Sequence, residues 1–275
     1  MGIRPLVADQ SFWYSAAVHA PALPPIVAPE LLMLAYRSGI FPMADTRDDP
    51  EIFWVEPRRR AILPLDGFRC SRSLARTLRR RRFEVTCNAA FSSVMEGCAA
   101  PRRDTEETWI SRRIAATYRA LHEAGHAHSI ECWQDGRLVG GLYGVGFDRV
   151  FCGESMFSLI PDASKVALAW LVAALRRSGA ELLDCQFMTE HLASLGATEI
   201  GQKRYLALLA AAQASGAGAS GVAVAAAVGE GDGAAALGAG LVLPDGFAAL
   251  LGDAAAAGSS SSPGNFIAQS LTQTS

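Results

Sequence analysis

The chain carries no Gly-Lys-Ser phosphate loop, no dinucleotide fingerprint at a strand-to-helix turn and no Gly-x-Ser-x-Gly nucleophile elbow. Those absences exclude the nucleotide-hydrolysing, nicotinamide-dependent and lipase-like chemistries that such strings support. A reactive Ser or Cys beside an evident partner is missing too. Six cysteines stand at 70, 87, 98, 132, 152 and 185, and no two form a Cys-x-x-Cys pair. Cys132, Cys152 and Cys185 fall inside strand-like runs, as small buried hydrophobes do. No stretch reaches the roughly 18 consecutive apolar residues that a membrane helix needs. Met1 to Ala20 lacks a charged start followed by a sustained apolar run, so no secretory leader is expected there. The expectation is a reduced, cytoplasmic protein without a membrane partner.

What is present is a chain of 275 residues, 50% hydrophobic and 19% charged, long enough for one large domain or two smaller ones. Its formal net charge of −2 conceals an asymmetry. Between Pro57 and Arg119, fifteen arginines face six acids, an excess of nine positive charges. Charge of that regional size suits a polyanionic partner. It also suits a solvated face balanced by acids elsewhere in the fold.

The local signals predict an α+β protein. Pro29-Glu30 opens a helix over 31–37 that Ser38-Gly39 stops. Phe53-Trp54-Val55 and Ala61-Ile62-Leu63 read as short strands, so residues 1–64 form a small N-terminal α+β domain. A second domain over 65–213 begins with a Ser71-capped helix, a strand over 83–87 and a helix to about Cys98. Ser111 caps the next helix, which Gly125 ends. Strands over 127–134, 138–147 and 150–156 follow, with Asp135-Gly136 as a hairpin turn. Asp162 is the expected N-cap of a long apolar helix to Arg177, followed by a strand over 181–187 and two short helices. Residues 214–275, rich in Ala, Gly and Ser, are expected to form a flexible, disordered tail. Within it only Leu241–Leu243 and Phe247–Leu251 suggest a weak local element.

The residue that stands out is Glu154, a carboxylate between Gly153 and Ser155 in an otherwise apolar strand. A charge there is either paired or functional. Glycines along the partner strand suggest close approach of a ligand or of another backbone. Asp184 and Gln186, two apart on a strand, share a face. With Glu154 they can bind an amine, orient a hydroxyl or polarise a carbonyl; they can equally be a buried polar network. Trp109 can stack on a base or belong to the core. His122-Glu123-Ala124-Gly125-His126 fits the zinc-peptidase string, but Gly125 falls at the helix end, which takes His126 off the axis. No metal site is expected.

Several of these runs together resemble one family. They are Leu34-Ala-Tyr-Arg-Ser-Gly-Ile-Phe-Pro42, Ser71-Arg-Ser73, Thr108-Trp-Ile110, Leu121-His-Glu-Ala-Gly-His-Ala-His-Ser129, Gly140-Gly-Leu-Tyr-Gly-Val145, Phe151-Cys-Gly-Glu-Ser-Met-Phe-Ser158, Ala163-Ser-Lys-Val-Ala-Leu168, Asp184-Cys-Gln186 and His191-Leu-Ala-Ser-Leu-Gly-Ala197. In this order, over about residues 29–211, they resemble leucyl/phenylalanyl-tRNA–protein transferases. The resemblance implies a small N-terminal domain joined to an acetyltransferase-like (GNAT) domain. It implies transfer of Leu or Phe, less well Met, from Leu-tRNA or Phe-tRNA to proteins with N-terminal Arg or Lys, marking them for N-degron proteolysis. No cofactor is implied, because the tRNA ester is already activated, and a monomer is expected.

On that reading Glu154, Asp184 and Gln186 are catalytic. Trp109, Leu142, Phe151, Ser155, Met156, Phe157 and Leu171 bind substrate, and Arg72, Arg76, Arg79 and Arg80 bind tRNA. Met43 stands where the family usually has Trp, and Phe53-Trp54-Val55-Glu56-Pro57 replaces a Trp-Trp-Ser-Pro-like run. These departures motivate one alternative, an inactive module that binds tRNA or N-degron proteins. A zinc hydrolase acting through His122, Glu123 and His126 is the other.

Overall fold

A computed structural model describes residues 26–101, 107–217, 237–257 and 262–272. Seven strands form one sheet in the order β4-β5-β6-β7-β8-β3-β9. They are β3 (Arg59–Ile62), β4 (Glu84–Cys87), β5 (Ala127–Gln134), β6 (Arg137–Phe147), β7 (Val150–Ser158), β8 (Leu182–Gln186) and β9 (Thr198–Gly201). A separate two-stranded sheet pairs β1 (Phe41–Met43) with β2 (Phe53–Val55). The fold class is thus α+β with a mixed sheet.

Hairpins build the centre. Asp135 (φ 51°) and Gly136 (φ 71°) both take the left-handed conformation that a two-residue β5–β6 turn demands. Asp148 (φ 48°) begins the β6–β7 turn. The next connection differs: β7 and β8 run parallel, with Cys152 opposite Asp184, and parallel neighbours need a crossover. Helix α5 (Ala163–Arg177) supplies it, and twelve of its residues are buried. One core cluster packs α5 against Ile130, Cys132, Leu142 and Phe151 of the sheet. The other sheet face is covered by α1 (Pro29–Arg37), α3 (Phe91–Ala99), α4 (Arg112–Glu123) and α7 (Gln202–Ala217), around Tyr36, Val94, Tyr118, Tyr143, Cys152 and Tyr205.

Four expectations change. β3, assigned from sequence to the N-terminal unit, lies inside the large sheet between β8 and β9. β9 was not expected; its run Thr198-Glu199-Ile200-Gly201 is too short for periodicity to reveal. Asp162 does not cap α5, because it sits at φ 73° with its carboxylate near Lys165 (3.5 Å) and Thr77 (3.4 Å). Ser158 Oγ accepts from the Ser164 amide instead (3.2 Å).

The C-terminal segment is the largest change. Its described parts form α8 (Leu243–Ala256) and α9 (Pro263–Thr272), which bury Leu243, Phe247, Leu250, Ile267, Ala268 and Leu271 in the α5 core. Phe247 meets Trp170 of α5 with ring centroids 5.3 Å apart. A sparse set of large apolar residues suffices here because the face of α5 that they cover is itself apolar. Residues 218–236, also assigned to that tail, lie outside the described residues, as do 1–25. No helix among the described residues is long and apolar enough to cross a membrane.

Candidate active site

The pairing of β6 with β7 is in register from Phe147–Val150 to Gly144–Gly153, then shifts so that Tyr143 faces Ser155. Glu154 is the extra residue at that β-bulge. A bulge bends its strand and re-aims a side chain. Here the re-aimed carboxylate lies among polar groups of three other elements. Its Oε1 accepts from Tyr36 Oη of α1 (2.7 Å) and Gln186 Nε2 of β8 (2.9 Å). Its Oε2 accepts from Tyr118 Oη of α4 (3.0 Å), and the two tyrosine hydroxyls bond each other. Glu154 is only 8% exposed, and burial raises its carboxyl from 4.5 to about 7 against those three hydrogen bonds. Both tyrosine hydroxyls are held well above their usual range, first by burial and then by the neighbouring carboxylate. They therefore remain donors.

Asp184 does something different. Arg60 of β3 binds it through Nε (2.9 and 3.0 Å) and Nη2 (2.6 Å), and Tyr205 Oη donates to it at 3.0 Å. Arg60 packs over the rings of Phe41 and Tyr205 and donates Nη1 to Gly39 O (3.0 Å). Asp184 Oδ1 also accepts from the backbone amide of Gln186 (2.8 Å). Gln186 sits at φ 59°, a conformation that costs a non-glycine residue free energy unless its surroundings hold it. The paired Asp184 holds it. Asp184 orients Gln186 through the main chain, while Gln186 Nε2 reaches Glu154. The acid, amide and second acid expected from sequence are thus brought together, with the hydrogen-bond chain Asp184–Gln186–Glu154 crossing from β8 to β7.

A cavity of about 370 Å³ opens beside this chain. Glu154 and Gln186 lie at its polar end, and Leu142, Met156, Leu168, Leu171 and Leu183 form much of its apolar wall. Trp109, Ser155 and Met43 also line it. Phe151 and Phe157 do not. Phe151 faces α5 and fills the space that a side chain at Gly144 would need, and the Phe157 ring covers Gly97 of α3. The glycines of β6 admit protein rather than ligand: a Cβ at Gly144 would meet Cys152 O at 2.3 Å, and one at Gly140 would meet Ala163 Cβ at 2.5 Å.

Residues 62–210 match the sequence profile of the family described as Leucyl/phenylalanyl-tRNA protein transferase, and residues 27–58 match that of its N-terminal domain. The Leucyl/phenylalanyl-tRNA--protein transferase of Novosphingobium aromaticivorans is 67% identical over 261 residues, covering 92% of this chain and 98% of that protein. The chain belongs to the leucyl/phenylalanyl-tRNA–protein transferase family.

Relatives of the same name from Rhizorhabdus wittichii and Zymomonas mobilis are 58% and 54% identical over 186 and 187 residues. Each alignment covers 68% of this chain, with 75% and 70% of the respective relatives. Family membership makes the chain an aminoacyltransferase. The solved L-PGS structure from Bacillus licheniformis aligns at 13% identity and a TM-score of 0.33, over 58% of this chain and 54% of that one, too distant to bear on the argument.

The zinc-like string is a helix end. Gly125 (φ 82°) donates to His122 O and His126 N to Leu121 O, the two bonds of a Schellman motif. His122 Nδ1 meets Ala127 O at 2.7 Å, and its ring stacks on Phe91. No group of three metal-ligating side chains occurs among the described residues.

The arginine-rich stretch divides. Arg60 is buried on Asp184, and Arg59, Arg112 and Arg119 pair with Glu199, Asp48 and Glu96. Arg72, Arg76, Arg79 and Arg80 of helix α2 (Arg72–Arg79) and its C-terminus share an exposed face with no ion-pair partner among the described residues. Sequence reasoning missed Tyr36, Tyr118 and Arg60. Tyr36 lay inside a quoted motif, and Arg60 in a charge run whose only signal of burial was the apolar 61–63 beside it.

Proposed function

We propose that the chain transfers a leucyl or phenylalanyl group from aminoacyl-tRNA to the α-amine of proteins that begin with Arg or Lys, marking them for N-degron proteolysis. Family membership supports the reaction. The single structural observation that carries the site is Glu154 buried in the lining of a largely apolar cavity and bonded to Gln186.

The amine nitrogen attacks the ester carbonyl carbon, the carbon–oxygen bond to the terminal ribose breaks, and the amine's proton ends on the ribose oxygen. Attack requires a neutral amine aligned on the carbonyl. Glu154 meets the incoming cationic N-terminus, and its carboxyl, raised to about 7, can take up a proton near neutral pH. Gln186 has Nε2 committed to Glu154, which leaves Oε1 to accept an N–H of the amine. The cavity receives the leucyl or phenylalanyl side chain, with burial contributing about 0.8 kcal/mol per CH₂. Trp109, which lines the cavity, contacts the tRNA end on this reading. Phe151 and Phe157 shape the wall from behind rather than touching substrate.

Arg72, Arg76, Arg79 and Arg80 form the tRNA surface, so affinity should fall steeply with salt. The site sits in an acetyltransferase-like arrangement; the parallel β7–β8 pair joined through α5 in an otherwise antiparallel sheet supports that reading. The chain acts as a cytoplasmic monomer.

Incubation with radiolabelled Leu-tRNA and a peptide beginning with Arg tests the proposal. Label should enter the peptide, and a Gly-initiated peptide should remain unlabelled. Tight tRNA binding without transfer would replace this reading with that of a binding module.

A further inference from the structure

The family profile stops at residue 210, yet α8 and α9 lie beyond it and are built into the core. Helix α9 runs antiparallel along α2. Near its start, Gly264 is pressed against the α2 backbone, where a Cβ would meet Leu78 O at 2.1 Å. At its end, Thr272 lines the same surface concavity as Arg72, Arg76, Arg79 and Arg80. Ile267, Ala268 and Leu271 share one core cluster with Leu74, Ala75 and Leu78, the apolar stripe of α2. Arg176 ties the assembly to α5, donating to Ser270 O (3.1 Å) in α9 and to Leu65 O (2.7 Å) ahead of α2. The arginine-bearing helix is therefore held from below by α5 and along its side by α9.

The chemistry of α9 matters as much as its position. Its sequence, Pro-Gly-Asn-Phe-Ile-Ala-Gln-Ser-Leu-Thr, contains no acid. An acidic helix beside these four arginines, which have no ion-pair partner among the described residues, would compete with phosphate for them. This one instead places uncharged side chains beside the arginine face. Ordering a long arginine side chain on a helix that can itself rock adds to the entropy lost on binding, and a fixed helix removes that part of the cost.

We propose that the C-terminal helices are an affinity element for aminoacyl-tRNA, with α9 fixing α2 so that Arg72, Arg76, Arg79 and Arg80 present one rigid anion-binding face. This rests on the reading of α2 as the tRNA surface. Gly264→Val in the full chain forces α9 off Leu78, and Leu271→Ala loosens the same contact without a clash. Gly252→Ala, where an added Cβ meets nothing within 4 Å, is the control.

Steady-state transfer is measured with Leu-tRNA and peptide varied separately, and folding is checked by thermal melting. The expected result for both α9 variants is a KM for Leu-tRNA raised about fivefold or more, with kcat and the peptide KM within twofold of wild type. A general loss of structure would lower kcat and disturb the peptide KM as well. Arg76→Glu/Arg79→Glu separates the two levels. If it raises the tRNA KM while folded Leu271→Ala does not, the role given to α9 is wrong and the tRNA surface stands. If it leaves the tRNA KM unchanged, the surface itself is misassigned and the proposal falls with it.

Discussion

Glu154 and Gln186 join the two parallel strands of the sheet by a hydrogen bond of 2.9 Å in the wall of a largely apolar cavity. The bond depends on two local departures from regular structure. One is the extra residue in β7 that turns Glu154 out of the pleat. The other is the left-handed backbone of Gln186, fixed by Asp184. Either residue in a regular strand would point elsewhere.

Glu154→Gln should therefore abolish most transfer while preserving the fold. The amide is nearly isosteric, but it can neither take up a proton nor pair with a cation. A loss of about 100-fold or more in kcat/KM is expected, the usual scale for removing a positioned acid–base group. Gln186→Ala should lose activity as well, with KM for the peptide rising. Wild-type turnover in a folded Glu154→Gln protein would remove this carboxylate from the mechanism.

The raised carboxyl of Glu154 also has a thermodynamic consequence. Its pKa is about 7 in the folded protein against an ordinary 4.5, so the folded state binds the proton more tightly. The stabilisation this group gives is fully present below about pH 4.5 and is lost as pH rises through about 7. The total is on the order of 3 kcal/mol, from 1.36 kcal/mol per pKa unit. Urea unfolding of wild type and Glu154→Gln at intervals from pH 4.5 to 7.5 reads it directly. The wild type should lose stability relative to the variant across that interval, and parallel curves would mean the carboxyl is not perturbed.

Asp184 and Arg60 form a buried pair at 0% and 1% side-chain exposure. Removing one partner strands the other charge, which costs about 3–5 kcal/mol. Asp184→Leu and Arg60→Met should each lower the melting temperature markedly. In the double variant Arg60→Met/Asp184→Leu the loss should be smaller than the sum, because no unpaired charge remains. Activity should stay low even where stability recovers, since nothing then holds Gln186 at its positive φ. A double variant with wild-type kcat would show that Gln186 needs no such anchor.

Much of this site was readable because a charge in an apolar strand and two polar residues on one strand face are local patterns. Glu154, Asp184 and Gln186 needed only their neighbours to stand out. Their partners did not. Tyr36, Tyr118 and Arg60 lie 118, 36 and 124 residues from the carboxylates they bind, and such separations leave no periodicity to read. The same limit hid α8 and α9. Their Ala- and Gly-rich sequence resembles a chain that cannot bury enough surface, until α5 supplies the apolar wall against which Phe247 and Ile267 pack. Asp162 misled for the opposite reason: its residue type suits a helix cap, but its left-handed backbone leaves capping to Ser158.

The cavity wall sets a test of side-chain choice. Leu171 and Leu168 of α5 face Leu142 and Met156 of the sheet across the cavity. Leu171→Phe should narrow it at the α5 side, where a phenyl ring needs more room than an isobutyl group. Mis-sizing a hydrophobic pocket by a few carbons is worth about 1–3 kcal/mol of discrimination, or tenfold and upward. The ratio of kcat/KM for Phe-tRNA to that for Leu-tRNA should fall at least tenfold, with the Arg-peptide KM unchanged. Overpacking costs about 1–3 kcal/mol of stability, so melting is measured alongside. An equal loss with both tRNAs would place the transferred side chain somewhere other than this cavity.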